Sequence, residues 1–203
     1  LSLQPALAGR CITGVRTGTK NLRQPLPVEL HHTLAGRRIV DIIRRGKYLL
    51  FDCRRGRQRG WLIVHLGMSG SLGFVPVGQT PGRHDHFDLL TSALTLRFTD
   101  PRRFGLILWH DDADPERHPL LAGLGIEPLS EGFSGEWLHN AFRNRTAPVK
   151  NVLMDARTIV GIGNIYASES LFRAGISPLC AANRVSLAAC RRLAKAIRET
   201  LLD

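Results

Sequence analysis

Between residues 10 and 110 the chain has no long helical pattern separating one strand-like segment from the next, and this limits the kind of sheet it can build. Parallel neighbours need a crossover of about a dozen residues or more, usually a helix. Antiparallel strands need only a turn. The segments 10–17, 38–53, 60–66, 71–77, 87–98 and 104–110 are short, rich in β-branched and aromatic residues, and bounded by Gly, Pro, Asn or Asp. Ile39-Val40-Asp41-Ile42-Ile43 and Leu94-Thr95-Leu96-Arg97-Phe98 carry part of the alternation expected of half-buried strands. An antiparallel β-sandwich over residues 1–115 is the predicted outcome.

The texture changes at Asp111-Asp112-Ala113-Asp114-Pro115, an acidic break containing proline. Residues 116–133 read as a linker and 134–203 as an all-helical domain, making the chain α+β. Ser134 is placed to cap a helix running to Asn144. A second helix starts at Thr146 or Ala147 and runs to Asp155, and a third spans 164–173. Ser186 caps a fourth, whose apolar face is Leu187, Cys190, Leu193, Ala194, Ile197 and Leu201. Arg191, Arg192, Lys195 and Arg198 lie mainly on its other side, as a solvated face would. Residues 147–174 form a helix–two-turn–helix motif.

That motif contains Val160-Gly161-Ile162-Gly163-Asn164-Ile165-Tyr166. Glycine leaves backbone N–H groups uncovered, and Asn164 is a good N-cap residue. A helix start of this kind binds phosphate readily. Lys and Arg exceed Asp and Glu by 28 to 17, a formal net charge of +11, so the phosphate expected is that of a nucleic acid. Lys150, on the preceding helix, would add charge to the same contact. The hydrophobic content of 43% excludes a disordered basic tail. Cys11, Cys53, Cys180 and Cys190 show no CxxC spacing, and no metal ligand set is nominated. Free thiols point to a reducing cytoplasm, and no apolar run reaches membrane-spanning length.

Three segments of the first half could do chemistry. His65-Leu66-Gly67-Met68-Ser69-Gly70 sets a methionine between glycines. Thr99-Asp100-Pro101-Arg102-Arg103-Phe104-Gly105 joins two strands through a proline turn and two arginines. Apolar side chains pushed between base steps unstack DNA, and an arginine can occupy the hole, so Met68, Arg102 and Phe104 are candidates for a wedge. His84 and His86 form an HxH pair without a third metal ligand, which favours a phosphate contact or a structural hydrogen bond. Arg44-Arg45-Gly46-Lys47-Tyr48 interrupts an apolar strand pair as either a solvated hairpin or a backbone-binding basic cluster.

These motifs, with Leu124-Gly125-Ile126-Glu127-Pro128-Leu129 and residues 161–172, stand in an order that resembles the bacterial formamidopyrimidine-DNA glycosylases. The resemblance spans the chain from Leu1 to the last helix. It implies excision of oxidised purines, 8-oxoguanine and formamidopyrimidines, from duplex DNA by base flipping, followed by strand cleavage through β,δ-elimination. It implies that Met68, Arg102 and Phe104 fill the gap left by the flipped nucleotide, with Arg102 facing the estranged cytosine. It assigns Lys47 a proton-transfer role in β-elimination. His65, His84, Arg102, Arg103, Arg145, Lys150, Gly163 and Asn164 become DNA-binding positions. The implied protein is a monomeric, cytoplasmic, nucleoid-associated enzyme with no membrane partner.

The family's chemistry runs through an N-terminal Pro-Glu, whose α-amine attacks the sugar. Here Leu1-Ser2-Leu3-Gln4-Pro5 aligns with the later part of the family's first helix. The expectations are that the nucleophile lies outside these residues, that the 203-residue stretch is inactive by itself, and that one zinc ion belongs to a C-terminal finger also outside it. A noncatalytic lesion- or abasic-site-binding protein is the alternative, and a basic RNA-binding protein is a third possibility.

Overall fold

In the computed structural model, which describes residues 3–203, the first half forms eight strands among those residues. They are β1 (Ile12–Thr17), β2 (Arg38–Arg45), β3 (Tyr48–Arg55), β4 (Gln58–His65), β5 (Ser71–Val75), β6 (Asp85–Thr91), β7 (Thr95–Thr99) and β8 (Leu106–His110). Strands β1-β6-β7-β5 make one sheet and β2-β3-β4-β8 the other, and every pairing is antiparallel. The segments 38–53 and 87–98 each fold as a hairpin. Gly46 turns the first at φ 57°. In the second, the Thr91 hydroxyl accepts from the N–H groups of Ala93 and Leu94. Two short helices that the strand pattern does not reveal accompany the sheets, α1 (Gln4–Leu7) and α2 (Leu30–Leu34). Of the stretch 1–5 aligned with a first helix, Leu1 and Ser2 lie outside the described residues.

Ile12, Leu30, Leu34, Ile39, Phe51, Leu89 and Phe98 are fully or almost fully buried between and around the sheets. Fully burying one such side chain contributes about 1.5–3 kcal/mol. Cys53 lies in this core, and burial pushes its thiol up to about 12.

The sheet order fixes a feature at one end of the sandwich. Strand β4 leaves the second sheet at His65, and β5 joins the first at Ser71. Strand β7 leaves the first sheet at Thr99, and β8 joins the second at Leu106. Because His65 pairs with Leu106 and Ser71 with Thr99, the two crossovers span the same pair of ladder ends. Residues 66–70 and 100–105 therefore run side by side.

The chain divides into two units, Leu1–His118 and Pro119–Asp203. The second contains α3 (Gly135–Phe142), α4 (Val149–Met154), α5 (Asn164–Ala174) and α6 (Leu187–Leu202). The Ser134 and Ser186 hydroxyls accept from the N–H groups of Trp137 and Ala189, capping α3 and α6 as their sequence positions predict. α3 ends at Phe142, two residues before Asn144. α4 begins at Val149 rather than at Thr146 or Ala147, because Pro148 holds an extended N-cap and a residue before proline avoids the helical region. Phe133, Phe142, Leu153, Leu171 and Ile197 are buried in this unit's own core. The Leu124–Leu129 motif is a packing device: Ile126 and Ile159 form a parallel bridge. A Cβ on Gly125 would stand 2.0 Å from the Thr158 carbonyl oxygen, so only glycine fits there.

Candidate nucleic-acid interface

In the first unit, the β2–β3 turn exposes Lys47 and hands the chain to Tyr48, which pairs with His65 across the β3–β4 ladder. Their rings lie 4.9 Å apart, centroid to centroid. The N–H of Gly67 donates to His65 Nδ1 at 2.9 Å, which requires an unprotonated Nδ1 and leaves the hydrogen of the neutral ring on Nε2. Burial holds the His65 pKa below the ordinary imidazole value, and the charges of Lys47 and Arg23 push it the same way. Burial also raises the Tyr48 pKa, with Arg23 opposing. Arg23 is fixed locally by its own N–H, which donates to the Gly105 carbonyl at 3.2 Å. A cavity of about 370 Å³ is bordered by Lys47, Tyr48, His65 and Gly67. Such a surface can donate a neutral N–H and an ammonium group to one anion.

The adjoining crossovers carry the apolar candidates. Met68 is 72% exposed and Phe104 45%, whereas folding stability alone would favour burying both. The Arg102 guanidinium lies over the Phe104 ring, 4.9 Å from its centroid. Arg103 adopts φ 59°, the one positive φ outside glycine among the described residues, and donates to the Asn21 carbonyl at 3.3 Å.

Asp100 sits beneath these side chains, with no exposed surface. Its Oδ1 accepts from the Ser69 hydroxyl at 2.6 Å and the Arg102 N–H at 3.2 Å, and its Oδ2 accepts from the Gly105 N–H at 2.8 Å. Burial alone would raise its pKa. The Ser69 hydroxyl and the surrounding N–H groups outweigh that and hold it below the usual carboxylate value. Gly67, at φ 69°, passes so close to the other crossover that an added Cβ would stand 2.6 Å from the Phe104 carbonyl carbon.

The two histidines of the HxH pair take different roles. His84 is exposed before β6 begins, and its carbonyl accepts from the Asp100 N–H at 2.9 Å. His86 is buried, and its Nε2–H donates to the Asp100 carbonyl at 3.0 Å. No group of three His, Cys, Asp or Glu side chains that could hold a metal occurs among the described residues.

In the helical unit, α5 starts differently from the sequence expectation. The N-cap is Gly163, in an extended conformation, and Asn164 is the first helical residue. No side chain caps this end, so the first-turn N–H groups stay open. The Asn164 side chain is exposed and has no hydrogen-bond partner among the described residues. Lys150 is half-buried in the first turn of α4, and Arg145 is exposed in the turn that precedes that helix. The cations of α6 are occupied: Arg191 pairs with Glu136 at 2.7 Å and Lys195 with Glu199 at 3.7 Å. Arg192 donates to the Ala174 carbonyl, and Arg198 to those of Ser130 and Phe133. They serve as a structural and solvated face.

Sequence reasoning gave no role to Asp100, Ser69, Arg23 or Tyr48. Asp100 and Ser69 stood inside quoted motifs; the signal available was an aspartate preceding Pro-Arg-Arg, in a turn rich in N–H donors that a carboxylate could gather.

Comparison with known proteins bears on both units. Residues 1–107 match the family model described as the formamidopyrimidine-DNA glycosylase N-terminal domain, and residues 124–203 match the formamidopyrimidine-DNA glycosylase H2TH domain. The formamidopyrimidine-DNA glycosylase of Dechloromonas aromatica is 57% identical over 203 residues, covering 99% of this chain and 73% of that protein. A crystal structure of the Lactococcus lactis enzyme, non-covalently bound to DNA containing an AP site, is similar with a TM-score of 0.88 and 28% identity, covering 98% of this chain and 75% of that one. A structure of MutM in complex with DNA containing carbocyclic 8-oxo-G gives a TM-score of 0.88 and 30% identity, covering 98% and 73%.

Proposed function

This chain belongs to the formamidopyrimidine-DNA glycosylase family, and we propose from that footing how its residues divide the labour of repair. The family comprises bifunctional glycosylase/lyases, and oxidised purines in duplex DNA are the substrate. The finer assignments are our own reading. Met68, Arg102 and Phe104 enter the stack where the damaged nucleotide leaves it, Phe104 as the wedge and Arg102 toward the estranged cytosine. Lys47 transfers a proton during β-elimination, and strand cleavage continues to δ-elimination. His65, His84 and Arg103 contact the backbone. On the helical unit, Lys150, Arg145, Gly163 and Asn164 grip phosphate by charge, open N–H groups and a free amide.

The observation that supports this reading best is the exposure of Met68 and Phe104 on loops whose backbone is hydrogen-bonded into place. Flexible loops shed apolar side chains to solvent by accident; anchored ones display them. His65 suits the phosphate role because its neutral ring keeps an N–H for donation.

The zinc implied by the family resemblance does not fit the residues described here. Cys53 is packed into the β-sandwich core and Cys190 into the helical core, and no ligand cluster forms. A cytoplasmic enzyme working on the bacterial nucleoid accords with the DNA substrate. No helix among the described residues is long and apolar enough to cross a membrane.

Borohydride trapping of the full-length protein on an 8-oxoguanine duplex tests the function. A covalent adduct is expected. Lesion binding without an adduct would support the noncatalytic binder instead, and binding to RNA without lesion preference would overturn both.

A further inference from the structure

We infer that Ser69 and Asp100 are positioning residues for lesion capture: their bond locks the two crossover loops into one rigid mount for Met68, Arg102 and Phe104. The inference rests on the wedge reading above and adds to it the parts that make a wedge work.

The two loops carry different members of the trio. Met68 belongs to residues 66–70, and Arg102 and Phe104 belong to residues 100–105. Among the described residues, the side chain that ties one loop to the other is Ser69, through its hydroxyl. It donates to Asp100 Oδ1 at 2.6 Å and also lies 3.3 Å from the Arg102 N–H as an acceptor. Asp100 spans its own loop, gripping the Arg102 N–H with one oxygen and the Gly105 N–H with the other, so Phe104 is bracketed on both sides. The base of the arrangement is fixed as well. The Asp100 main chain bonds to the His84 carbonyl, just before β6, and to the His86 ring within it.

A buried carboxylate is costly to keep unless its oxygens are satisfied. Here the charged form is held by a hydroxyl and backbone N–H groups, so the carboxylate spends its acceptor capacity on loop geometry. An intercalating group gains from such a mount. Unstacking a base step is unfavourable, and a loop that also had to become ordered on insertion would add conformational entropy to that cost. Phosphate contacts made before insertion need no such order. The mount should therefore act on lesion preference and leave nonspecific affinity alone.

The test uses the full-length protein and four variants: Ser69→Ala, Ser69→Thr, Asp100→Asn and Phe104→Ala. Affinity is measured for a duplex carrying a tetrahydrofuran abasic analogue and for the undamaged duplex. A 2-aminopurine beside the analogue reports unstacking. Ser69 is only half-buried, so alanine there removes the tie without emptying a core site. Ser69→Ala is expected to reduce the preference for the analogue about tenfold, the size of one lost bond to a charged group, and to quench the 2-aminopurine signal change. Undamaged-duplex affinity should hold. Ser69→Thr, which keeps the hydroxyl, should restore both readouts. Asp100→Asn, which presents an NH₂ where one oxygen accepted, should match Ser69→Ala or exceed it.

If Phe104→Ala loses lesion preference while Ser69→Ala keeps it, the positioning role is overturned and the wedge stands. If neither variant loses it, the wedge reading itself fails. Equal losses on damaged and undamaged DNA, or no rescue by threonine, would also overturn the inference.

Discussion

The guanidinium of Arg102 rests over the ring of Phe104, 4.9 Å from its centroid, so the two side chains proposed to enter the base stack are already paired on the protein surface. An exposed cation–π contact of this kind contributes about 0.5–1 kcal/mol. In a double-mutant cycle of Arg102→Ala and Phe104→Ala, urea unfolding should show a coupling of about that size. A coupling near zero would mean that the pair is not preassembled in solution.

Phe104→Ala should weaken capture of an abasic-site duplex by about tenfold or more while leaving undamaged-duplex affinity nearly unchanged, since intercalation enters only after the base has left the stack. Fluorescence anisotropy with the two duplexes checks this. An unchanged ratio would remove Phe104 from the wedge.

Lys150→Ala acts through charge alone, so its effect should not depend on damage. Both affinities should fall, and the slope of log K against log salt should become shallower by about 1. A loss confined to damaged DNA would place Lys150 in lesion recognition instead.

Gly67 combines φ 69° with a close approach to the Phe104 backbone. Gly67→Ala should destabilise the protein by about 1–3 kcal/mol, because a Cβ both strains the backbone and forces the crossovers apart. Chemical denaturation gives the stability. A drop in lesion preference beyond the stability loss would show the loops separating in the native state.

The His65 ring should titrate below an ordinary histidine, because burial first, then Lys47 and Arg23, disfavour its charged form. As pH falls through the usual imidazole range near 6.5, the unfolded chain therefore binds the proton before the native chain does. The contribution of His65 to stability is complete above that range and lost as pH drops toward its lower native pKa. NMR titration should find the Nε2–H tautomer at neutral pH and a depressed midpoint. A midpoint at or above 6.5 would contradict the Gly67 hydrogen bond as its anchor.

The sandwich was legible because six punctuated strand-like segments had no helices between them, and the helical half because Ser134 and Ser186 announced their caps. Local chemistry set the limits of that reading. Pro148 moves the start of α4 by restricting the residue before it. Gly163 takes the N-cap that residue type alone assigns to Asn164, which leaves the asparagine amide uncommitted. Met68, Arg102 and Phe104 could be picked out because a methionine, an arginine and a phenylalanine on strand-joining loops suit a wedge between bases. What joins them could not. The Ser69–Asp100 bond links residues 31 positions apart, and only the pairing of β4 with β8 and of β5 with β7 brings them together.

The side-by-side crossovers also constrain how such a protein can change over evolution. Each loop is fastened at both ends to the same two ladder rungs, so an insertion in one would pull it out of step with the other. A change in loop length is therefore a poor route to a new lesion preference. Exchange of side chains at positions 68, 102 and 104 is the route that leaves the mount intact. Related proteins with different substrates should thus keep the spacing of these loops while varying the side chains they carry.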